Sequence, residues 1–297
     1  MNTNISSKAV QLDLKTPRDL TCAFSPDRSR AITGVVGKSV RVWELESGRC
    51  IKQLEGHTER IWGLAWSHDQ RLVLSGSFDN TARLWDVDSG ECLHVLEGHT
   101  GFVRALDFST DQRLAITASG DRAVRVWDLE TGHCLQVFRG HTDGAYGALL
   151  ASDQRRAVSG SRDGTIRTWD LETGRCLRVI EAHAHHVQCL AWSADERRIL
   201  SCSRHIRIWD VETGACLQEF DGHTETIRSV EWSADQKRVV SAAHDRTVRT
   251  WDVESGRCRQ VLKGHPTLVV NAAWCPDQRS IVSCDEGAAV RIWGPLD

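Results

Sequence analysis

The strongest constraint on the fold is a repeat of about 42 residues that runs through almost all of the 297-residue chain. Tryptophans recur at intervals of 42, 42, 42, 40, 42 and 42 residues, at Trp43, Trp85, Trp127, Trp169, Trp209, Trp251 and Trp293. An aspartate recurs in the same register, at Asp27, Asp69, Asp111, Asp153, Asp195, Asp235 and Asp277, and a histidine at His57, His99, His141, His183, His223 and His265. Because the three series agree, the chain contains seven copies of one unit, with one two-residue deletion between Asp195 and Trp209.

Each unit has the pattern of four short β-strands. In the unit TGFVRALDFSTDQRLAITASGDRAVRVWDLETGHCLQVFRGH, apolar residues alternate in runs of four to seven. The runs are separated by STDQ, SGD and ETG, which contain the Asp, Ser and Gly that tight turns favour. Short strands at this spacing predict an all-β fold in which neighbouring strands pair antiparallel.

Four strands per 42 residues, with Gly-His before the first strand and Trp-Asp at the end of the third, resemble the WD-repeat β-propeller family. The resemblance covers nearly the whole chain and rests on seven agreeing copies. It implies a seven-bladed β-propeller, a ring of four-stranded antiparallel blades. The departures from the family pattern are Leu14-Lys15 in place of Gly-His, Ala182 in place of the glycine before His183, Glu44 after Trp43 and Gly294 after Trp293.

The last unit stops one strand short of the others, while the segment KAVQLDLK near the start of the chain has the alternation of an outer strand. An incomplete blade would expose a long unpaired edge, which is a liability for a folded protein. We therefore expect residues 9–14 to complete the last blade and close the ring, as the resemblance also implies. This divides the chain into a tail, residues 1–7, and a propeller, residues 8–297, with no separate effector domain.

Four units carry the residues of the hydrogen-bonded tetrad that the resemblance implies. These are His57, Ser75, Asp79 and Trp85; His99, Thr117, Asp121 and Trp127; His141, Ser159, Asp163 and Trp169; and His223, Ser241, Asp245 and Trp251. A chain of hydrogen bonds from the indole through the hydroxyl and imidazole to the carboxylate predicts a structural role. Ser, His and Asp also form catalytic triads, but an enzyme needs one triad rather than four copies, so we predict no catalytic residue.

The tetrad is expected to be incomplete in three units. The first unit lacks the histidine, and the fifth lost its aspartate to the deletion. The last unit has Gly287 at the position of the aspartate. We expect these three blades to be the least rigid, because they lack part of the buried network.

Positions that differ between units are the candidates for recognition. The resemblance places the loops from the fourth strand to the next first strand, and the turns between the second and third strands, on one rim that family members commonly use for binding. That rim carries the candidate partner-binding residues Arg60, Trp62, Phe78, Phe102, Arg104, Tyr146, Arg162 and Arg228. Aromatic residues and arginine are typical of interface hot spots. They predict a partner segment that is acidic or phosphorylated and has an apolar anchor; packing of the rim is the alternative role for the rings.

A second irregular feature is a group of histidines in the fifth unit. The sequence EAHAHH contains His183, His185 and His186, and His205 lies in the shortened turn of the same unit. Four imidazoles offer candidate ligands for a transition metal, but no acidic residue is evident to support them, so we assign no metal. Metal or small-ligand binding, or an enzymatic activity, at this corner or in the central tunnel is the alternative to a scaffold.

Composition narrows the functional classes. A net charge of −3, with 26% charged residues, gives no general reason to expect nucleic-acid or membrane binding. The N-terminus lacks a signal-peptide pattern and no stretch approaches the ~18 apolar residues of a membrane helix, so we expect a cytoplasmic protein. Six of the eleven cysteines are expected to be small buried strand residues rather than a disulfide framework, namely Cys50, Cys92, Cys134, Cys176, Cys216 and Cys258.

The prediction that combines these features is a non-catalytic protein-interaction scaffold without a cofactor. We expect a monomeric propeller that acts within a larger complex and binds its partner on the rim.

Overall fold

The computed structural model describes residues 7–12, 21–34 and 38–296. These residues form seven four-stranded antiparallel sheets and contain no helix. The sheets pack side by side as the blades of a closed ring, which confirms the predicted seven-bladed β-propeller. In each blade we call the strands a to d, from the central channel outward.

The first four blades follow one another along the chain. Blade 1 contains β2 (Thr21–Phe24), β3 (Arg30–Gly34), β4 (Ser39–Glu44) and β5 (Cys50–Glu55). Blade 2 contains β6 (Ile61–Trp66), β7 (Leu72–Ser77), β8 (Ala82–Asp86) and β9 (Cys92–Leu96). Blade 3 contains β10 (Val103–Phe108), β11 (Leu114–Ser119), β12 (Val124–Asp128) and β13 (Cys134–Phe138). Blade 4 contains β14 (Ala145–Leu150), β15 (Arg156–Ser161), β16 (Thr165–Asp170) and β17 (Cys176–Glu181).

The last three blades include the point of closure. Blade 5 contains β18 (Cys189–Trp192), β19 (Arg198–Cys202), β20 (Ile206–Asp210) and β21 (Cys216–Phe220). Blade 6 contains β22 (Ile227–Trp232), β23 (Arg238–Ala243), β24 (Thr247–Asp252) and β25 (Cys258–Lys263). Blade 7 contains β26 (Val269–Trp274), β27 (Ile281–Asp285), β28 (Ala289–Trp293) and, as its outer strand, β1 (Ser7–Gln11).

The ring closes through β1, as the sequence predicts. This strand pairs antiparallel with β28, with Gln11 opposite Ala289, and the Leu12 N–H donates to the Ala288 carbonyl oxygen at 3.2 Å. Leu12 is 1% exposed and packs in a core shared by blades 1 and 7, beside Trp43. The closing strand therefore completes the hydrogen bonding of β28 and adds an apolar side chain to the core.

The bounds of the closing strand differ from the expected residues 9–14. The strand begins earlier, at Ser7, because its pairing with β28 extends to Trp293. Residues 13–14, and residues 1–6 of the expected tail, lie outside the described residues.

Blade 3 shows how the tetrad joins two strands, a loop and a turn. The Trp127 indole N–H donates to Thr117 Oγ1 at 2.8 Å, and His99 Nε2 lies 2.8 Å from the same hydroxyl. His99 Nδ1 lies 2.9 Å from Asp121 Oδ2. Equivalent bonds of 2.7 to 3.0 Å form in blades 2, 4 and 6. In these blades the tetrads hold the d–a loop and the b–c turn against the two central strands.

The expectation that blade 7 lacks the carboxylate is wrong. Asp285, two residues before Gly287, is fully buried, and its Oδ2 lies 3.0 Å from His265 Nδ1. Ser283 Oγ lies 2.6 Å from His265 Nε2 and accepts from the Trp293 indole at 2.7 Å. The carboxylate comes from the end of β27 instead of the following turn, so the network is complete despite the glycine.

The cysteines at the start of strand d are less buried than expected. Four of the six are exposed, and Cys92 and Cys258 are half-buried. The reason is that strand d is the outermost strand, so its first residues reach the outer surface. Elsewhere, Cys189 and Cys202 form a disulfide across β18 and β19 of blade 5.

Candidate functional site

The inner strands of five blades carry a β-bulge close to their start. In each case the pairing of strand a with strand b skips one residue, and the skipped residues are Trp62, Arg104, Tyr146, Arg228 and Val270. A bulge leaves its extra residue unpaired and redirects the side chain. All five line one cavity at an end of the central channel, together with Gln188, which directly precedes β18. We call these six residues the channel mouth.

The channel mouth is a small cavity that is rich in positive charge. Its volume is about 230 Å³. Arg104 comes from blade 3 and Arg228 from blade 6, so the two side chains approach from nearly opposite sides of the seven-bladed ring. Among the described residues that line the cavity there is no aspartate or glutamate. Two cations therefore share a confined space without a carboxylate in its wall.

Arg104 is held firmly on three sides. Its guanidinium carbon lies 3.9 Å from the centre of the Tyr146 ring and 5.6 Å from that of Trp62, within the range of cation–π contacts. Nη2 donates to Gln188 Oε1. The side chain is only 8% exposed, and its Nη1 is buried without a hydrogen-bond partner in the described part of the chain. One terminal nitrogen is thus fixed in place and unsatisfied.

Burial, and to a smaller extent positive charge, shift the pKa values of groups at and near the channel mouth. Burial, and then the charge of Arg228, lower the pKa of Arg104 to about 9, so it remains a cation at neutral pH. Burial also lowers the pKa of Arg228, against the opposing effect of Glu286. Burial and then Arg228 lower the pKa of His244 to about 4. The pKa of His186 is lowered by burial and then by the charge of Arg104. The protonated forms of His186 and His244 are therefore both disfavoured.

A second feature of this face is a stack of aromatic rings. Trp62, Phe78 and Phe102 stack pairwise, with ring centres 4.7 Å (Trp62–Phe78), 5.3 Å (Trp62–Phe102) and 5.0 Å (Phe78–Phe102) apart. Tyr146 follows, 6.3 Å from Phe102. We call these four rings the aromatic patch. The Arg60 guanidinium lies 5.0 Å from the Trp62 ring and 4.8 Å from the Phe78 ring.

The absence of a side chain at Gly120 makes room for this stack. Gly120 occupies the b–c turn position of blade 3 that Phe78 occupies in blade 2, and its N–H donates to the Phe102 carbonyl oxygen at 2.9 Å. A Cβ at Gly120 would lie 2.6 Å from Phe102 Cε1, closer than packed carbon atoms approach. The rings of Trp62, Phe78 and Phe102 can therefore stack, because the position that carries Phe78 in blade 2 carries a glycine in blade 3.

The structure gathers six of the eight predicted partner-binding residues at the aromatic patch, and the other two lie outside it. The aromatic patch gathers its four rings with Arg60 and Arg104. Arg162 is exposed and its Nε lies 3.6 Å from Asp143 Oδ2. Arg228 is outside the aromatic patch but lines the same channel mouth as Trp62, Arg104 and Tyr146.

Sequence reasoning missed two residues of this face. Asp143 offsets the charge of Arg162, and the Arg162 N–H donates to the carbonyl oxygen of the adjacent Gly144, which brings the two residues together only in the fold. Gln188 holds Arg104 across the channel mouth. The signal for Gln188 is its repeat position, which is the same as that of the bulge residues.

The four histidines of blade 5 have separate environments. His183 Nε2 lies 2.8 Å from Ser201 Oγ in what remains of the tetrad, and burial and then Arg207 lower the pKa of His183 to about 3. The His186 ring meets the edge of Tyr146. His205 Nδ1 lies 3.4 Å from Asp221 Oδ1, and His185 is exposed. Within the described ranges no three His, Cys, Asp or Glu side chains are placed to share a metal ion.

Comparison with known families identifies the repeats. The family model "WD domain, G-beta repeat" of the WD40 family matches residues 48–86, 90–128, 132–170, 174–210, 214–252 and 256–294. These matches span more than half of the chain, which therefore belongs to the WD40-repeat family. Strands β2, β3 and β4 of blade 1 lie outside the matched residues, and the first repeat lacks the tetrad histidine.

WD40 propellers generally bind other proteins and are typically non-enzymatic scaffolds. A comparison with curated protein sequences gave no match. In the part of the chain that the structure describes, no helix has the length and apolar character needed to cross a membrane.

Proposed function

We propose that this protein is a non-catalytic scaffold that binds a segment of a partner protein across the aromatic patch. The segment carries Asp, Glu or phosphate next to an apolar anchor residue. The propeller acts in the cytoplasm, as a monomer within a larger complex. The observation that carries the proposal is the aromatic patch, with Arg60 and Arg104 placed over its rings.

The chemistry of the patch favours such a partner. Trp62, Phe78 and Phe102 are each half-buried, so their rings retain apolar surface towards solvent. Rings held in a stack lose little conformational freedom on binding and contribute a large contact area. Arginine beside them provides planar, charge-assisted hydrogen bonds to carboxylate or phosphate. An apolar side chain and an anion on one segment would therefore be recognised together.

The contacts of the tetrads support a role without catalysis. Ser75 is fully buried, and its hydroxyl oxygen accepts from the Trp85 indole at 2.7 Å while lying 2.8 Å from His57 Nε2. A nucleophilic serine must reach a substrate carbonyl. The Ser75 hydroxyl is buried and bonded to both Trp85 and His57, so it is not placed to attack a substrate. The same arrangement recurs in the other blades with a complete tetrad.

The proposal is tested with a library of peptides that combine Asp, Glu or phosphoserine with one aromatic or aliphatic residue. Dissociation constants of the best binders are measured by fluorescence anisotropy for the wild type and for Trp62→Ala and Arg104→Glu. We expect each substitution to weaken binding about 30-fold or more, the equivalent of ~2 kcal/mol for a hot spot. Circular dichroism checks that each variant is folded.

The matched control is Arg71→Glu, an exposed arginine in the a–b turn of blade 2, on the opposite face. This change should leave peptide binding unaltered. Loss of binding with Arg71→Glu but not with Trp62→Ala would place the partner on the other face and disprove the assignment. Arg104→Glu should also slow association more at low salt than at high salt, because steering by charge is screened.

A further inference from the structure

We infer that the channel mouth is a binding site for a phosphate-class dianion, held between Arg104 and Arg228. This inference shares Arg104 with the proposed function but goes beyond it, because it adds Arg228 and requires no apolar anchor on the aromatic patch. It names a ligand chemistry that two sources can supply, free phosphate or a phosphoryl group carried on a side chain.

The first argument is the unsatisfied nitrogen of Arg104. Folded proteins pair nearly all of their buried polar atoms, so a fixed donor without a partner needs an explanation. Some repeated arginines, such as Arg83 and Arg125, also bury an Nε atom without a partner, but their terminal nitrogens bond sulfur or a carbonyl oxygen. Arg104 differs because its buried, unpartnered atom is a terminal Nη, on a residue that lines the cavity.

The second argument is the charge of the cavity. A buried cation normally has an acidic partner, because removal of a charge from water is costly. Arg104 and Arg228 have no carboxylate among the described residues of the cavity wall, and each like charge makes the other less favourable. Glu286, in the b–c turn of blade 7, acts on Arg228 from outside this wall. An anion between the two guanidinium groups would offset the repulsion between Arg104 and Arg228. It would also provide a hydrogen-bond acceptor for Arg104.

The third argument is the set of neutral donors and the size of the cavity. Gln188 accepts from Arg104 through Oε1, and its amide N–H₂ group is a further donor on a residue that lines the cavity. The Tyr146 ring also lines the cavity. A volume of about 230 Å³ fits a tetrahedral oxyanion with a few waters, since one water takes up roughly 30 Å³ in the liquid. A dianion matches the two positive charges, whereas a single carboxylate balances only one.

The backbone supports the site independently of the ligand. Both arginines are bulge residues, so neither contributes to the pairing of strands a and b. The cation–π contacts with Tyr146 and Trp62 hold Arg104 in place before any anion arrives. Binding therefore loses little side-chain entropy at this residue.

The test is isothermal titration calorimetry of the full chain with inorganic phosphate, at constant ionic strength maintained with chloride. We expect saturable binding by the wild type that weakens roughly tenfold or more in Arg228→Gln, since hydrogen bonds to charged groups are among the strongest in proteins. Arg228→Lys should be intermediate, because it keeps the charge and loses the planar fork. If Arg228→Gln does not fold, Arg104→Gln serves as the second variant.

Arg71→Gln, on the opposite face, is the control and should bind phosphate like the wild type. A second titration with N-acetylphosphoserine amide distinguishes the sources: binding of both ligands supports a phosphorylated side chain, and binding of inorganic phosphate alone supports the free anion. Absence of saturable binding of either ligand, or an equal loss in Arg71→Gln, would overturn the inference. Trp62→Ala peptide binding is measured separately, so failure of this site and failure of the proposed function remain distinguishable.

Discussion

The tetrads and the channel mouth both bury polar side chains, but they treat hydrogen bonds in opposite ways. In blade 3, the hydroxyl of Thr117, both nitrogens of His99 and the carboxylate of Asp121 are all partnered within the blade. At the channel mouth, Arg104 keeps a terminal nitrogen without a partner in the described residues. A fold that satisfies one buried network so fully leaves the other incomplete, and this contrast is the basis of the proposed anion site.

The two regions also differ in how they vary along the chain. The complete tetrad recurs with nearly the same residues in five blades, whereas the channel mouth has Trp62, Arg104, Tyr146, Gln188, Arg228 and Val270 at one repeat position. Every blade faces the same packing problem, so its solution repeats. The bulge position has no shared structural task, which leaves its residue open to selection for binding.

The largest effect is expected from opening the framework itself. Deletion of residues 1–12 removes β1 and Leu12, which exposes the edge of β28 and part of the core between blades 1 and 7. We expect a loss of at least ~3 kcal/mol in the free energy of unfolding, together with aggregation. Urea denaturation and light scattering measure these effects. Deletion of residues 1–6 alone should have little effect, and an unchanged urea midpoint in the longer deletion would contradict closure by this strand.

A single tetrad is the next test of the framework. Asp121→Ala removes the acceptor for His99 Nδ1 and for the N–H groups of Thr100 and Ala123. We expect a loss of roughly 3 kcal/mol, because buried donors are left unsatisfied. Phosphate binding at the channel mouth should persist in the folded variant. A loss below ~1 kcal/mol in urea denaturation would show that the repeated network is not what stabilises the blade.

The incomplete tetrad of blade 5 predicts a pH dependence. Burial, followed by the charge of Arg207, lowers the pKa of His183 to about 3 from the usual 6.5. The unfolded chain therefore takes up the proton first as the pH falls, so the stabilising contribution is complete above pH ~6.5 and is lost towards pH 3. Between pH 7.5 and 5 we expect the wild type to lose roughly 1 to 2 kcal/mol more stability than His183→Gln. Parallel pH curves for the two proteins would contradict this.

The smallest expected effect is an increase in stability, whereas the changes described above lower it. Arg228→Met replaces a half-buried cation, which repels Arg104, with an apolar side chain of similar length. We expect the free energy of unfolding to rise by up to ~1 kcal/mol, because function and stability compete at such sites. Thermal denaturation of this variant, with Arg71→Met as a surface control, measures the change. A clear destabilisation would mean that Arg228 serves the fold rather than a ligand.

Most of the framework could be predicted from the sequence because it depends on repetition. Seven agreeing copies indicate four strands per blade, the residues of the tetrad and the missing outer strand that β1 supplies. The carboxylate of blade 7 was wrongly predicted to be missing, because Asp285 reaches His265 from the end of a strand, and spacing alone locates only the turn. The exposure of residues such as Cys50 could not be read from alternation, which does not distinguish an outer strand from an inner one.

The site was predictable in its residue types and less so in its geometry. The repeat register predicted that Trp62, Phe78 and Phe102 share an arc, and these rings do stack. The bulges could not be predicted, because they arise from the pairing of two strands and not from local composition. Without them, Arg104 was expected on an open rim, whereas it lies buried in the channel mouth.

The bulges in the inner strands have a consequence for how such a protein diversifies. A bulge residue makes no ladder hydrogen bond, so it can be exchanged without changing the pairing that defines its blade. Each of these blades thus offers one substitutable position that points at the same small volume. A few substitutions at these positions could change which ligand the cavity binds, while the propeller fold stays the same.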